Sequence, residues 1–393
     1  MATGLRVLCA DDCSLAGEPG QVSPFPKTGH SSRALVASPE VRDCLLPGTR
    51  ALVVWKSSVA VERAALELGI PLANSPAALS RQLENKAFFT PAAKAAGLPV
   101  PRAVTGAAGP ALAASAERLG LPLVFQLAHG FSGAQTYPIE SSERLRELNA
   151  TFAGHQSRIA ERVEGSPVTV TGVVQEDSVI CGPPCLQLTG IPFLTPHPLG
   201  SCGNDFSAAI PHRQLVAATA GRVGEWLKER GHRGIFGVDL VVSDGGDCWC
   251  IEVNPRLVAS VPLWSLSARD LGHSSLLERH LACFESSDSD STPLSCHWSQ
   301  LILYRIAADQ GPDPAATSRG RIAADGSFDS GGPLSLRGPG PGELGLVVRG
   351  STRTGAELAR LFTDGPLLDE RGQLLPQLAK VVARLRGSLE STQ

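Results

Sequence analysis

The sequence predicts a mixed α/β chain: a small N-terminal α/β domain with a parallel sheet, then a larger domain of strands and helices, then a C-terminal extension. Three observations carry this. Short apolar runs alternate with helix-period stretches over residues 1–80, the pattern of strands joined by crossover helices. Strand-length segments separated by turn residues dominate from about 120 to 255, with one long amphipathic helix among them. The chain has 393 residues, 42% hydrophobic and 19% charged, which suits two or three domains and a sizeable core.

In order along the chain, Leu5–Cys9 and Ala51–Trp55 read as buried strands, and residues 15–32, rich in Gly, Pro and Ser, as a loop. Val59, Val61, Ala64, Leu66 and Leu68 give helical spacing over 58–68, and Ile70–Asn74 reads as a short strand. A helical region begins at Ser75, with one helix over 80–96 that stops at Gly97-Leu98-Pro99. Leu121–Phe125 is a strand, His129–Gly133 a turn, and a second strand runs through Tyr137-Pro138-Ile139. A helix over 143–149 follows, then strands over 158–163 and 168–174, a long helix over 213–231, and strands over 236–242 and 248–253. Residues 285–293 form an acidic Ser-rich linker, 311–345 are rich in Gly and Pro, and a helix spans about 377–389. The expected domains are 1–80, 81–284 with a lid at about 115–165, and 285–393.

Composition narrows the function. A net charge of −3 argues against an electrostatic nucleic-acid binder. No apolar run reaches the roughly 18 residues of a membrane span, and the N-terminus lacks the apolar stretch of a signal peptide. The ten cysteines therefore read as reduced thiols of a cytoplasmic protein. Cys181-Gly-Pro-Pro-Cys185 and Cys248-Trp-Cys250 resemble zinc half-sites, but neither has a partner at finger spacing, so small buried residues are the better reading.

The strongest chemical signal is the stretch from Gly237 to Arg256. Asp244-Gly245-Gly246-Asp247 reads as a hairpin turn. Centring it on 245/246 and counting outward places Asp239 opposite Glu252, with Cβ atoms about 5 Å apart. Facing carboxylates destabilise a sheet unless a cation sits between them. Glu252, Asn254 and Arg256 follow at i, i+2 and i+4, on one face. Two carboxylates and an amide oxygen are a hard donor set suited to Mg²⁺, and Arg256 can hold an oxyanion through paired hydrogen bonds. The competing explanation is a surface hairpin with solvated charges, which does not account for four polar types converging on one face.

A second, weaker signal is the Gly-rich hairpin His129-Gly130-Phe131-Ser132-Gly133, which can aim backbone N–H groups at phosphates. No P-loop is present, and Gly340-Pro-Gly342-Glu-Leu-Gly345 neither follows a strand nor opens a helix. Taken in order, Asn85-Lys86, the stop at Gly97-Leu98-Pro99, the Gly-rich hairpin, Glu161-Arg162-Val163-Glu164-Gly165, Gly237-Val238-Asp239 and Glu252-Val253-Asn254-Pro255-Arg256 resemble the ATP-grasp superfamily over about 75–265. The likeness is to its biotin carboxylase, carbamoyl-phosphate synthase and D-alanine ligase side.

The resemblance implies an α+β ATP-grasp fold with a flexible lid, and ATP and Mg²⁺ as cofactors, with Mn²⁺ as a substitute. Asp239, Glu252 and Asn254 would hold the metal, and Arg256 with Asn254 would act on the reacting groups. Lys86, Gln126, Gly130, Ser132 and Gly133 would contact the phosphates. Glu161, Arg162 and Val163 would read adenine, with Glu164 beside them. The implied reaction is ADP-forming ligation of a small carboxylate to an amine through an acyl phosphate. The substrates would be amino acids or cofactor precursors, as for the tyramine–glutamate and pyrrolysine-synthesis ligases. A homodimer is expected by analogy. Asn204 and Asp205 are candidates for the acceptor pocket, or else a turn and helix cap. Cys202, within Leu199-Gly200-Ser201-Cys202-Gly203, is a competing nucleophile without a His at base spacing.

One residue departs from the family pattern. The strand before the lid usually ends in a lysine, and here Gln126 stands there. Glutamine brings no charge, which would cost about 1–3 kcal/mol of charge-assisted phosphate binding. Arg162 and His129 are the candidate substitutes. The alternative is an ATP-binding or regulatory relative with impaired catalysis.

Overall fold

The computed structural model describes residues 6–8, 51–130, 133–285, 292–306, 318–322, 328–329, 343–348 and 354–387. The N-terminal part contains β1 (Arg6–Leu8) and β2 (Leu52–Val54), paired parallel as the alternation of strand and helix requires. Ser58 caps α1 (Val59–Glu67) by accepting from the Val61 N–H, and Val61 and Ala65 bury against Leu52 and Val54. The expected strand at 70–74 is only a bridge between Leu72 and Leu52. Pairing stops there because the Asn74 side chain takes both polar groups of Val54, accepting its N–H and donating to its carbonyl, each at 2.9 Å.

The single helix expected over 80–96 is two helices, α2 (Ala77–Glu84) and α3 (Lys86–Ala95). Asn85 leaves the helical conformation at φ −68°, ψ 109° and its side chain accepts from the Ala87 and Phe88 N–H groups. An N-cap within an apolar periodic stretch is a start signal that periodicity overrides. The break puts Lys86 at the head of α3, where its N–H donates to the Ala128 carbonyl.

Four antiparallel strands form a small sheet in the order β3 (Ala103–Ala107), β6 (Gln156–Glu161), β4 (Leu123–Leu127), β5 (Thr136–Ile139). Its outer face packs on α4 (Pro110–Glu117) and α5 (Ser142–Thr151) through Leu123, Phe125, Ile139, Leu145 and Ile159. Period-2 alternation therefore turns Val124, Gln126, Arg158 and Ala160 to the inner face. The sheet starts at Ala103, ahead of the expected 115, because β3 pairs with β6 along its whole length.

The large sheet is antiparallel. It runs β12 (Cys248–Asn254), β11 (Gly234–Val242), β7 (Ser166–Val174), β9 (Cys185–Thr189), β10 (Ser201–Asp205), then β13 (Trp298–Tyr304), β17 (Glu357–Asp364), β16 (Leu344–Val348), β14 (Ser318–Ile322) and β15 (Phe328–Asp329); β8 (Val179–Cys181) pairs with β7. The C-terminal strands thus continue this sheet through the β10–β13 ladder. One face of its first half buries Val168, Val170, Val238, Leu240 and Cys250 under α3 and α6 (Arg213–Glu229). Trp264 of α7 (Val261–Leu271), together with α8 (Leu276–Ala282), belongs to a second core that also holds Trp298 and Phe362, and α9 (Pro376–Gly387) covers a third.

At Gly133 the turn after β4 meets the segment just before β10. Gly133 has φ +75°, and a Cβ there would land on the backbone of Gly200 and lie 2.7 Å from the Leu199 carbonyl. Both the dihedral and the contact demand glycine. Gly133→Ala should cost at least about 1 kcal/mol and lift the turn from residues 199–200. Limited proteolysis should then cut between 128 and 136 faster than in the wild type, and equal rates would show that the contact does not hold the turn.

Candidate functional site

Asp239 faces Glu252, as the sequence count requires, but by a different route. The turn is a three-residue loop, Asp244–Gly246: the Ser243 N–H bonds to the Asp247 carbonyl, and Gly246 supplies φ +91°. That shifts the register by one, so Leu240 faces Cys250 rather than Ile251. A β-bulge between the 240 and 239 pairs shifts it back. Because of that bulge, Cys250 and Val253 both lie in the core while Glu252 and Asn254 turn to the opposite face with Asp239.

Asp239 is held by three donors. Thr169 Oγ1 donates to Oδ1 at 2.7 Å, Gln187 Nε2 to the same oxygen at 3.1 Å, and Asn254 Nδ2 to Oδ2 at 3.3 Å. Burial first, and then the Glu252 charge, push its pKa up to about 6. Glu252 pairs with the Lys86 ammonium at 2.9 Å, although Lys86 is buried. Arg256 donates from Nη2 to Asn254 Oδ1 at 2.8 Å and from Nε to Glu84 at 2.5 Å. Glu84 also pairs with Lys56; burial raises its pKa, but Arg256 and Lys56 outweigh that and hold it below the usual carboxylate range.

The structure thus brings Lys86, Asp239, Glu252, Asn254 and Arg256 into one cluster, with Gln126 reaching it through Arg158. Gly130 and Gly133 lie in the turn after β4, while Ser132 falls outside the described residues. The Glu161 and Arg162 N–H groups are bonded to the Arg102 and Pro122 carbonyls, and the Glu161 carboxylate holds Arg102. Arg162 pairs with Glu164 and Glu140 at the surface, and Val163 continues toward β7. Asn204 is buried on the same sheet face as Asp239, in register with Gln187, and accepts from Gln300 Nε2 at 2.8 Å. Asp205 is taken up by backbone: it accepts from the Ser207, Ala208 and Leu367 N–H groups, so it fills the turn role that was the alternative to a pocket role.

Neither substitute named for the missing lysine supplies a charge here. Arg162 is taken up by the Glu140 and Glu164 carboxylates. The His129 pKa is lowered, first by burial and then by the Arg81 and Lys56 charges, which disfavours its cationic form. Cys202 is buried and burial pushes its thiol up to about 11, the opposite of an activated nucleophile. Among the described residues the cysteines are free, and no three His, Cys, Asp or Glu cluster in a metal-holding arrangement, so a cation at this site would use the Asp239–Glu252 pair and an amide oxygen. Two residues escaped sequence reasoning. Glu84 stands two places before Lys86, and Arg158 is a charged residue inside an otherwise strand-forming segment, opposite Gln126; that apolar context was the signal for the second.

Residues 83–260 match the family model of the ATP-grasp domain, and the chain carries such a domain. No curated protein matches the chain. Solved structures confirm the fold. Carboxyaminoimidazole ribonucleotide synthase from Aspergillus clavatus, complexed with ATP, is 14% identical with a TM-score of 0.62, covering 100% of each chain. Biotin carboxylase from Campylobacter jejuni has a TM-score of 0.62 at 14% identity, covering 91% of this chain and 80% of its own. L-amino acid ligase from Bacillus licheniformis gives 0.57 at 14%, covering 95% and 87%. No helix among the described residues is long and apolar enough to cross a membrane.

The raised Asp239 pKa sets a pH dependence. The folded state keeps the Asp239 proton up to about pH 6, whereas an unfolded Asp loses it near 3.9. Its contribution is therefore full below pH 4 and is lost as pH rises through 6, by up to about 3 kcal/mol. Denaturant titration without metal should show the wild type losing more stability than Asp239→Asn between pH 4 and 6. Parallel curves would place Asp239 in a solvated environment instead.

Proposed function

We propose that the protein is an ATP- and Mg²⁺-dependent ligase that joins a small carboxylate to an amine with release of ADP and phosphate. The single observation that carries this is the Asp239–Glu252 pair beside Lys86, Asn254 and Arg256, in a chain with an ATP-grasp domain. The relatives in fold are a synthase, a carboxylase and an amino acid ligase.

The residues fit a hard divalent cation. Two carboxylates face each other, the Asp239 pKa is raised by burial and by the Glu252 charge, and Asn254, whose Nδ2 now meets Asp239 while its Oδ1 accepts from Arg256, would offer its amide oxygen by turning the amide over. When bound, Mg²⁺ would neutralise charge on the ATP phosphates. Lys86 and Arg256 are the chain's own contribution. Each is held by a carboxylate, Glu252 and Glu84 respectively, and so is preorganised. In the first step a substrate carboxylate oxygen attacks the γ-phosphorus of ATP, giving an acyl phosphate and ADP. In the second an amine attacks the acyl carbon, phosphate leaves, and the nitrogen loses a proton to solvent. Arg256 stabilises the oxyanion of that tetrahedral adduct. The polar row Gln187, Asn204 and Gln300 extends from Asp239 across the sheet for about 19 Å at the usual strand spacing, and the acceptor amine would lie along it. Gly130 and Gly133 would lie over the phosphates, and the 161–164 connection would read the base.

A second reading, an ATP-binding relative with impaired catalysis, is favoured by Gln126 alone. ADP release with Mg-ATP, measured against amino acids and small carboxylates singly and in pairs, separates the two. Release that needs one carboxylate and one amine is the expected result; nucleotide binding without release for any pair supports the second reading. Glu252→Gln should lower turnover by at least about 100-fold while leaving the circular dichroism spectrum unchanged. Full activity in that variant would remove Glu252 from the metal site.

A further inference from the structure

The inner face of the small sheet carries a polar row in register, Thr105 on β3, Arg158 on β6, Gln126 on β4 and Thr136 on β5. Arg158 is 2% exposed. Its Nε donates to Gln126 Oε1 at 3.0 Å and its Nη2 donates to the same oxygen. Its Nη1 donates to Thr90 Oγ1 at 3.0 Å and to the Ile251 carbonyl at 2.8 Å. Every one of these acceptors is neutral. Among the described residues no carboxylate lies within ion-pair distance of the guanidinium, whereas Lys86 has Glu252 and Arg256 has Glu84. Buried charges are ordinarily paired, because desolvation is costly. Burial lowers the Arg158 pKa to about 10 against the opposing pull of the Glu252 charge farther off, so the group still carries its charge near neutrality.

The surrounding geometry explains how the side chain is aimed. Ile251 is the extra residue of the β12 bulge, next to Glu252, and its carbonyl receives Arg158. Gln126 occupies two of the guanidinium N–H groups with one oxygen, and its Nε2 contacts Thr136 Oγ1 at 3.4 Å. Gln126 thus orients a cation that sits on the directly opposing residue of the neighbouring strand. We propose that Arg158 supplies the phosphate-binding charge absent at position 126, and that Gln126 is its positioning residue. The anion it awaits is a phosphate of a nucleoside triphosphate. This rests on the ATP-dependent reading above.

The test is calorimetric binding of Mg-ATP and of adenosine to the full chain, with melting curves to check folding. Arg158→Gln should weaken Mg-ATP binding by about 10-fold or more and leave adenosine within about 2-fold, since a charge-assisted contact is lost only with phosphate present. Gln126→Lys combined with Arg158→Leu moves the charge back by one strand and should restore Mg-ATP binding to within about 3-fold of the wild type. Gln126→Ala, which frees the guanidinium, should weaken Mg-ATP without affecting adenosine. A folded Arg158→Gln that binds Mg-ATP as well as the wild type, or more tightly, overturns the inference and makes Arg158 a structural plug. If Arg158→Gln does not fold, the double variant decides: folded without recovered binding, it too overturns the inference. A wild-type chain that binds no Mg-ATP overturns the ligase reading as well, whereas insensitivity to Arg158 overturns this inference alone.

Discussion

The facing carboxylates Asp239 and Glu252 are the constraint around which the rest of the site is arranged. Like charges in register repel, and here the repulsion adds to burial in raising the Asp239 pKa. What makes the pairing tolerable is the ring around it: Thr169, Gln187 and Asn254 donate to Asp239, and Lys86 neutralises Glu252. Each donor comes from a different element, so the pair ties β7, β9, β12 and α3 together. The β12 bulge is the local device that permits this, since it keeps Cys250 in the core while turning Glu252 outward.

The same bulge joins the two sheets. The carbonyl of Ile251 receives Arg158 from the small sheet, and the Lys86 N–H reaches the Ala128 carbonyl from α3. Gly133 approaches the Leu199–Gly200 backbone at the far side. Three contacts therefore tie the small sheet and the turn after β4 to the large sheet, to the segment before β10 and to α3.

Charge pairing within the cluster separates its three cations. Lys86 and Arg256 are matched by Glu252 and Glu84 and so are held in position before any substrate arrives. Arg158 is held by neutral oxygens only. Preorganisation by carboxylates fixes geometry at the expense of net charge, while neutral acceptors fix geometry and leave the charge available to an incoming anion.

The sequence by itself determined the parallel N-terminal pair, the β11–β12 hairpin and the apposition of Asp239 with Glu252. Those follow from periodicity and turn chemistry, which are local. It also exposed the departure at Gln126. The hairpin count reached the correct pair only because two one-residue shifts cancel, a three-residue turn and a bulge, and neither leaves a mark in apolar spacing. Tertiary structure alone decided that Asn85 splits a helix to place Lys86, that Glu84 holds Arg256, that Asp205 serves a backbone turn, and that the cation opposite Gln126 is Arg158. Those outcomes depend on which strands become neighbours, and strand pairing between segments tens of residues apart is set by the packing of the whole sheet.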